Sequence, residues 1–287
     1  MSVIAVPTDG GPVNLAAIRD YYDRLSRFYR ALWGEHIHHG YFERGDESPG
    51  RAQLKLVEQL ASRVHIQHGA RVLDVGCGLG GSSLWLARNC ACRVLGLTIS
   101  PIQAAMAIER ASAECLQDCV DFQVKDANCL DLTAESFDIV WVIECAEHLT
   151  NKSRFIEECA RVLKPGGTLA ICAWVAAERP RAASAHGSSL RFAQECFVRH
   201  LPASATTSAG YARAAWNSSE LTISQPQVEQ TWEHCARIAA RPEVQAALLW
   251  ADAPKRRFVR TFSTIRRAYA DGAMAYGIFT ARKPRAR

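Results

Sequence analysis

A glycine-rich turn in the first third of the chain constrains the fold more than any other segment. Residues 71–81 read RVLDVGCGLGG, in which an apolar stretch runs into Gly76, Gly78 and Gly80. Glycine permits positive φ and a close approach of a ligand to the backbone. Residues 82–88 (SSLWLAR) then have the composition of a helix. This order of strand, turn and helix predicts a nucleotide-binding crossover in an α/β protein.

A carboxylate ahead of the turn indicates which ligand fits. Gly76, Gly78 and Gly81 also satisfy the G-x-G-x-x-G dinucleotide pattern, so a dehydrogenase that binds NAD is an alternative. Asp74 lies two residues before the first glycine. Its negative charge would repel a pyrophosphate and attract a ligand that carries an ammonium and a sulfonium group. This feature favours S-adenosylmethionine.

Composition indicates a globular protein. The chain has 287 residues, 48% of them hydrophobic, which is enough for a substantial core. Its first dozen residues lack a basic run followed by a long apolar stretch, and no segment has the apolar length of a membrane span. The eleven cysteines include no C-x-x-C pair and are expected to be reduced. We therefore expect a soluble, cytoplasmic protein.

The apolar pattern predicts two helices followed by alternating helices and strands. Residues 15–33 and 51–64 have apolar residues at helical spacing. Alternation of strands and helices after the glycine turn predicts right-handed crossovers and a parallel sheet. Residues 164–167 (KPGG) are expected to end a helix and turn the chain into the next strand. The further predicted strands are 93–97, 120–124, 137–143 and 168–174, and the predicted helices are 82–88, 101–116 and 153–163.

Two other segments add to the glycine turn. Residues 21–23 (YYD) are followed by LWGEHIHHGYF at 32–42, and ECAEHL at 144–149 runs on to the KPGG turn. Together with LDVGCGLGG at 73–81, they resemble the class I S-adenosylmethionine-dependent methyltransferases. Within that class they are similar to the small-molecule group that includes the γ-tocopherol methyltransferases. The resemblance covers residues 18–174 and, more loosely, the last predicted strand with Lys283 and Pro284.

This resemblance implies a Rossmann-like α/β fold, with a seven-stranded, mostly parallel sheet and helices on both faces. Residues 1–66 would form N-terminal helices and a lid, and residues 67–175 the core that binds the cofactor. Residues 176–260 would form an inserted helical cap that binds the acceptor. Residues 261–287, which include AMAYGIFTAR at 273–282, would return to the sheet as an antiparallel strand.

The resemblance also implies a cofactor site. The end of the second strand has no acidic residue for the ribose, and similar enzymes use a Thr and a Gln that map onto Thr98 and Gln103. Asp126 matches a carboxylate that binds the adenine amino group, although a loop Asp is also a common turn former. His39 and Tyr22 belong to a lid over the methionine end rather than to a metal site. The predicted cofactor contacts are Tyr22, His39, Asp74, Gly76, Cys77, Gly78, Gly80, Thr98, Ser100, Gln103, Asp126, Ala127 and Ile143.

Three ionisable residues are the predicted catalytic groups. Glu144, Glu147 and His148 follow the fourth strand, at the sheet edge where ligands gather in proteins of this class. A general base is needed only if the acceptor atom must lose a proton. His148 is therefore either a base or a residue that caps the next helix or packs under the cofactor. Glu144 is either catalytic or placed beneath the cofactor.

The predicted reaction is methylation of a C, N or O atom in a small lipophilic or aromatic natural product. An alternative is C-methylation of an anionic prenyl diphosphate with Mg²⁺, because residues 251–287 contain ten Lys or Arg and two Asp. An RNA-binding methyltransferase or module is a third possibility, for which the chain lacks a recognition motif. We expect a small-molecule acceptor, no nucleic acid and no metal, and leave a homo-oligomer open. Aromatic candidates for the acceptor pocket are Phe192, Phe197, Tyr211, Trp216, Trp232 and Trp250.

Overall fold

A computed structural model describes residues 14–149, 151–176, 216 and 218–285. The predicted alternation of helices and strands is present through the first 176 residues, and α1, β3 and β4 have the predicted bounds. The elements are α1 (Leu15–Trp33), α2 (Pro49–Ala61), β1 (Arg71–Val75), α3 (Gly81–Cys90), β2 (Arg93–Thr98), α4 (Pro101–Ala113), β3 (Val120–Val124), β4 (Phe137–Ile143), a 3-10 helix (Ala146–His148), α5 (Lys152–Val162), β5 (Leu163–Ala176), β6 (Ser218–Ile223), α6 (Gln225–Val228), α7 (Gln230–Ala239), α8 (Pro242–Leu249), α9 (Ala253–Ala270) and β7 (Met274–Arg282).

The strands form one seven-stranded sheet in the order β3-β2-β1-β4-β5-β7-β6. Strands β1 to β5 are parallel to one another, and β7 lies antiparallel between β5 and β6. Strands β2 and β3 lie on one side of β1, and β4 and β5 lie on its other side. A crevice therefore opens between β1 and β4 at the carboxyl ends of the strands. The predicted Rossmann-like, mostly parallel fold is therefore confirmed.

Both faces of the sheet are covered by apolar cores. Along β4, Ile139 and Trp141 belong to one core while Val140 and Val142 belong to the other, as expected for a buried strand whose side chains alternate between faces. Helices α1 and α2 contribute to the first core and α5 to the second. Side-chain caps at the helix starts, such as Asn14 in α1 and Ser100 in α4, accept hydrogen bonds from the first turn.

Two elements differ from the sequence prediction. Strand β5 begins at Leu163, so the KPGG segment lies within the strand instead of forming a separate turn. Gly166 has φ +80°, and the register with β4 shifts at this point. The backbone N–H of Lys283 donates to the carbonyl of Gly167. Pairing with the chain after β7 therefore holds this irregular start of β5 in place.

The region predicted as a helical cap contains an edge strand. Ser218–Ile223 forms β6 and pairs with β7, although Ser and Thr breaks in this segment suggested an irregular stretch. Backbone hydrogen bonds to β7 override the weak local preference of these residues. Helix α9 also continues past residue 260, the predicted boundary between the cap and the final return to the sheet.

Packing of α2 on the sheet predicts a large effect of one buried side chain. Leu56 is 0% exposed, so Leu56→Ala should lower the free energy of unfolding by about 2–5 kcal/mol, because it leaves a cavity in the core. Ile108 on α4 is 50% exposed, and Ile108→Ala should change the free energy by less than about 1 kcal/mol. Chemical denaturation of the two variants measures the difference. Equal effects would contradict this packing.

Candidate active site

A cavity lies at the carboxyl ends of β1 to β5, beneath α1 and the loop after it. The predicted cofactor-binding and catalytic residues come from the ends of four strands, β1 to β4, from α1 and from the predicted lid. All of them line this cavity except Gly80 and Ser100. The fold thus brings together residues that are separated by up to 126 positions, such as Tyr22 and His148.

The glycine turn forms the floor between β1 and α3. Gly76, Gly78 and Gly80 have φ values of +77°, +55° and +77°. A Cβ on Gly76 would lie 2.4 Å from Cβ of Cys145, and one on Gly78 would lie 3.3 Å from Cδ1 of Ile37. Because Gly78 lines the cavity and Gly80 does not, Gly78 leaves room for a ligand, and Gly80 permits the backbone of α3 to start.

Asp74 is a buried residue near the end of β1, next to the glycine turn. It is 2% exposed, and its Oδ2 accepts a hydrogen bond of 2.6 Å from the hydroxyl of Ser83. Burial raises the pKa of Asp74 to about 7, although the Ser83 hydrogen bond lowers it in part. A cationic ligand in the cavity would stabilise the ionised form of this group.

A polar cluster occupies the end of β2, where no acidic residue is present. The hydroxyl of Thr98 donates to Oε1 of Gln103 at 2.7 Å, and Ser100 caps α4 through Gln103 N–H at 3.1 Å. Ser100 also shares a short hydrogen bond with Asp23 of α1. Among the residues that the structure describes, the buried Nε2 atom of Gln103 has no hydrogen-bond partner. This unpaired donor is suited to a hydroxyl group of a ligand.

Asp126 has both of the features considered for it. Its Oδ1 accepts from the backbone N–H of Asn128 at 2.8 Å and from the side chain of Asn128 at 2.9 Å, which is an Asx turn. Asp126 and Ala127 also line the cavity. The turn therefore fixes the carboxylate of Asp126 at the cavity wall.

Glu144 lies at the centre of a buried hydrogen-bond network. Its Oε1 accepts from the backbone N–H of His39 at 2.8 Å, from Nδ1 of His39 at 2.9 Å and from the hydroxyl of Tyr276 at 2.8 Å. The indole N–H of Trp232 donates to Nε2 of His39 at 2.6 Å. Burial alone would raise the pKa of Glu144, but its interactions with His39 outweigh burial and lower the pKa to about 2. Glu144 thus holds the predicted lid against β4, β7 and α7.

The pKa of Glu147 is raised, whereas that of Glu144 is lowered. Its Oε1 accepts a 2.8 Å hydrogen bond from the backbone N–H of Trp174, whereas Oε2 is buried without a partner. Burial, followed by repulsion from Glu144, raises the pKa of Glu147 to about 8. At neutral pH its carboxyl group is therefore mainly protonated.

His148 is a buried neutral imidazole. Its Nε2 shares a 2.9 Å hydrogen bond with the hydroxyl of Tyr22, which links α1 to the end of β4. Burial and then the charge of Lys152 lower the pKa of His148 to about 4. Its unprotonated form at neutral pH is the form that can accept a proton.

Two of the three lid histidines, His36 and His38, contact each other, whereas His39 contacts Glu144. Nδ1 of His36 and Nε2 of His38 lie 3.2 Å apart, and the amide of Gln53 donates to the carbonyl oxygens of both residues. Nδ1 of His38 faces the carbonyl of His39, whose own ring faces Glu144. Within the described ranges, no group of three or more His, Cys, Asp or Glu side chains is arranged to hold a metal ion.

Aromatic side chains form a further part of the wall. Trp33 of α1, Trp174 of β5 and Trp232 of α7 line the cavity, with Trp232 centred 6.2 Å from Trp33 and 6.1 Å from Trp174. Phe262 of α9 packs behind them, 5.6 Å from Trp232. This surface suits an apolar or aromatic ligand.

Trp232 is the aromatic candidate from the predicted cap that reaches the cavity. Trp250 is instead 92% exposed, and Trp216 packs against the core on the other face of the sheet. The candidates Phe192, Phe197 and Tyr211 lie outside the described residues. Sequence analysis missed Trp33 and Trp174. Trp33 could have been found because it lies eleven residues after Tyr22, on the same face of α1.

Comparison with known proteins shows similarity to methyltransferases. A family model described as a methyltransferase domain matches residues 73–171. The chloroplastic tocopherol O-methyltransferase of Arabidopsis thaliana is 29% identical over 93% of this chain and 82% of its own length. The 27-O-demethylrifamycin SV methyltransferase of Amycolatopsis mediterranei is 28% identical over 92% of this chain and 95% of its own length. Residues 73–171 of this chain therefore match a methyltransferase domain, and the chain is similar over most of its length to methyltransferases that act on small molecules.

Other relatives match a shorter part of the chain. The probable tocopherol O-methyltransferase of Oryza sativa subsp. japonica is 37% identical over 55% of this chain, and the chain spans about half, 46%, of that relative's length. Among solved structures, the mycolic acid cyclopropane synthase CmaA1 has a TM-score of 0.80 at 19% identity, covering 96% of this chain and 100% of that one, which shows the shared fold. The [4+2]-cyclase SpnF has a TM-score of 0.72 at 25% identity, covering 96% and 99%.

Burial of Glu147 predicts a pH-dependent stability. The pKa of Glu147 is 4.5 in the unfolded chain and about 8 in the folded protein. At a pH between these two values, unfolding of the protein releases the proton of this carboxyl group. The native state therefore loses stability as the pH rises through this window. Glu147→Gln removes this titrating group. When the pH is raised from about 5 to about 9, the free energy of unfolding of the variant should therefore rise by more than about 1 kcal/mol relative to that of the parent.

The free energy of unfolding is measured with a denaturant at about pH 5 and at about pH 9. Glu157→Gln, at an exposed position on α5, is the matched control and should show no such gain. A difference between parent and Glu147→Gln that stays constant with pH would contradict the assignment of a proton to buried Glu147.

Proposed function

We propose that this methyltransferase transfers the methyl group of S-adenosylmethionine to a C, N or O atom of a small lipophilic or aromatic natural product. One observation carries the proposal: a single cavity has polar groups suited to the donor near the glycine turn and an aromatic wall formed by Trp33, Trp174 and Trp232. The relatives described as tocopherol and rifamycin methyltransferases support the class of acceptor.

Residues around the glycine turn fit the donor. The Gly78 position leaves space that a Cβ would fill, and Asp74 offers a buried carboxylate for a positively charged ligand. The unpaired Nε2 of Gln103, beside Thr98, would hold the ribose hydroxyls, and Asp126 would accept from the adenine amino group. When bound, S-adenosylmethionine supplies an electrophilic methyl group.

The other residues orient the acceptor and handle its proton. Methyl transfer needs the nucleophile to be held in line and water to be excluded. Tyr22 and His39 bring α1 and the lid over the cavity, while the tryptophans bind the apolar part of the acceptor. Nε2 of His148, paired with the Tyr22 hydroxyl, is the site that can take up a proton from a phenol or hydroxyl. Protonated Glu147 can donate a hydrogen bond to the acceptor.

A second candidate function is cyclisation of an apolar substrate. The similarity to the [4+2]-cyclase SpnF favours it, at 25% identity over 96% of this chain. In this case the cavity would fold a flexible substrate against its aromatic wall, and no methyl group would be consumed. The two functions differ in whether the donor is used up.

The experiment that distinguishes them uses a donor with an isotopically labelled methyl group. The protein is incubated with this donor and an extract of host natural products, and the products are identified by mass spectrometry. We expect the label in a lipophilic product. A product of unchanged mass, formed equally with unlabelled donor, would support cyclisation and contradict methyl transfer.

The two alternatives that the sequence suggests, a prenyl diphosphate acceptor and RNA binding, are tested in parallel. Methylation of geranyl diphosphate that depends on added Mg²⁺ would identify an anionic acceptor. A solved geranyl diphosphate C-methyltransferase of Streptomyces coelicolor A3(2) shares the fold, with a TM-score of 0.65 at 20% identity. RNA binding that persists at moderate salt would identify the nucleic-acid alternative, since purely electrostatic binding is lost there.

Cellular location and assembly belong to the same proposal. In the part of the chain that the structure describes, no helix combines the length and apolar character needed to cross a membrane. We propose the cytoplasm, although two tocopherol methyltransferase relatives are described as chloroplastic. Fractionation of host cells tests the location, and light scattering of the purified protein tests for a homo-oligomer.

Donor binding depends on the space beside Gly78. Gly78→Val should weaken S-adenosylmethionine binding by at least about a hundredfold, because the side chain enters the cavity. Gly69→Val is the control, since Gly69 also has positive φ, +75°, but a Cβ there meets nothing within 4 Å. Isothermal titration calorimetry measures both. Equal affinity in the two variants would place the donor elsewhere.

A double variant tests whether Glu147 and His148 affect turnover without affecting donor binding. Glu147→Gln combined with His148→Gln should lower kcat by about a hundredfold while the calorimetric affinity for S-adenosylmethionine changes little. The reason is that Glu147 contacts the backbone of Trp174 and His148 contacts the Tyr22 hydroxyl, whereas neither contacts the polar cluster around Gln103. Unchanged turnover would show that placement of the acceptor is sufficient without either group.

A further inference from the structure

Helix α8 is an apolar helix that lacks a buried face. Its sequence, PEVQAALL, is followed by Trp250, and none of its residues is buried. Leu249 is 78% exposed and Trp250 is 92% exposed. We call residues 248–251 the tip. Two large apolar side chains at adjacent, exposed positions cost free energy in water and are typical of a surface that binds a partner.

Basic residues flank the tip on both sides. Residues 241–260 contain five Lys or Arg and two acidic residues. Arg241 precedes α8, and Arg256 and Arg260 are exposed on α9. The guanidinium of Arg256 donates to the carbonyl of Ala251, directly beside Trp250. A positive charge is therefore held next to the apolar tip.

The tip also lies near the outer face of α1. Arg24 is close enough to Asp252, at the start of α9, for their charges to interact. Arg19, Arg24, Arg27 and Arg30 are exposed on α1, whereas Leu15, Ile18 and Tyr22 of the same helix line the cavity. Because Arg24 is paired with Asp20, the other three arginines extend the basic surface along the outside of the cavity wall.

We propose that residues 241–260, with the exposed face of α1, form a docking surface for an anionic lipid membrane. The tip inserts Leu249 and Trp250 among the lipid headgroups, where Trp is favoured, and the arginines contact lipid phosphates. A second copy of this chain is a poorer occupant, because a two-fold interface would bring the same basic residues against each other. Docking would place the cavity wall against the phase in which lipophilic molecules dissolve.

The experiment is co-sedimentation of the full chain with vesicles. Vesicles of phosphatidylglycerol mixed with phosphatidylcholine are compared with vesicles of phosphatidylcholine alone. We expect binding to the mixed vesicles, and Leu249→Ser combined with Trp250→Ser should weaken it at least about tenfold. Ile108→Ser, which removes an exposed apolar side chain from α4, far from the tip in sequence, is the control and should bind as the parent does.

Charge is tested separately. Arg256→Glu with Arg260→Glu should weaken binding to the mixed vesicles, whereas Arg154→Glu, exposed on α5 over the other core, should not. Retained secondary structure of each variant by circular dichroism excludes unfolding as the cause. No binding of the parent, or binding that the tip variant leaves unchanged, would overturn the proposal. A parent dimer that Trp250→Ser dissociates would also overturn it. None of these measurements requires methyl transfer.

Discussion

The backbone of the turn between β1 and α3 is the constraint on which the rest of the site depends. The N–H groups of Gly76 and Cys77 both donate to the carbonyl of Leu97, at 2.8 and 2.9 Å, and so tie the turn to the end of β2. Positive φ at Gly76 and at Gly80 makes this path possible. As a result the carboxyl of Asp74, the cluster at Thr98 and the start of α3 face one cavity.

Burial and hydrogen bonding then give neighbouring groups different charge states. Glu144 receives several hydrogen bonds and stays ionised, whereas burial keeps Glu147 protonated and His148 neutral. The ionised group is bonded to His39 and Tyr276 and therefore acts in positioning the lid. The groups left to meet an acceptor are uncharged. A cavity with this charge pattern and an aromatic wall is suited to a neutral, apolar acceptor.

Local patterns explain how much of this arrangement could be predicted. The bounds of α1 and β4 follow from helical periodicity and from a continuous apolar run, and the glycine turn with Asp74 is a local motif. Strand β6 was missed because an edge strand rests on backbone pairing with β7 rather than on its own apolar pattern. The contact of His39 with Trp232 joins positions 193 residues apart. No local pattern carries such a contact, which arises from tertiary packing.

The central claim is that the glycine turn binds a cationic methyl donor. A crystal structure with S-adenosylhomocysteine, the product form of that donor, tests it most directly. We predict the ribose hydroxyls within hydrogen-bond distance of Nε2 of Gln103 and the ligand in contact with Gly78. Density for the ligand away from residues 74–80, or displacement of the ligand by NAD at this turn, would contradict the claim.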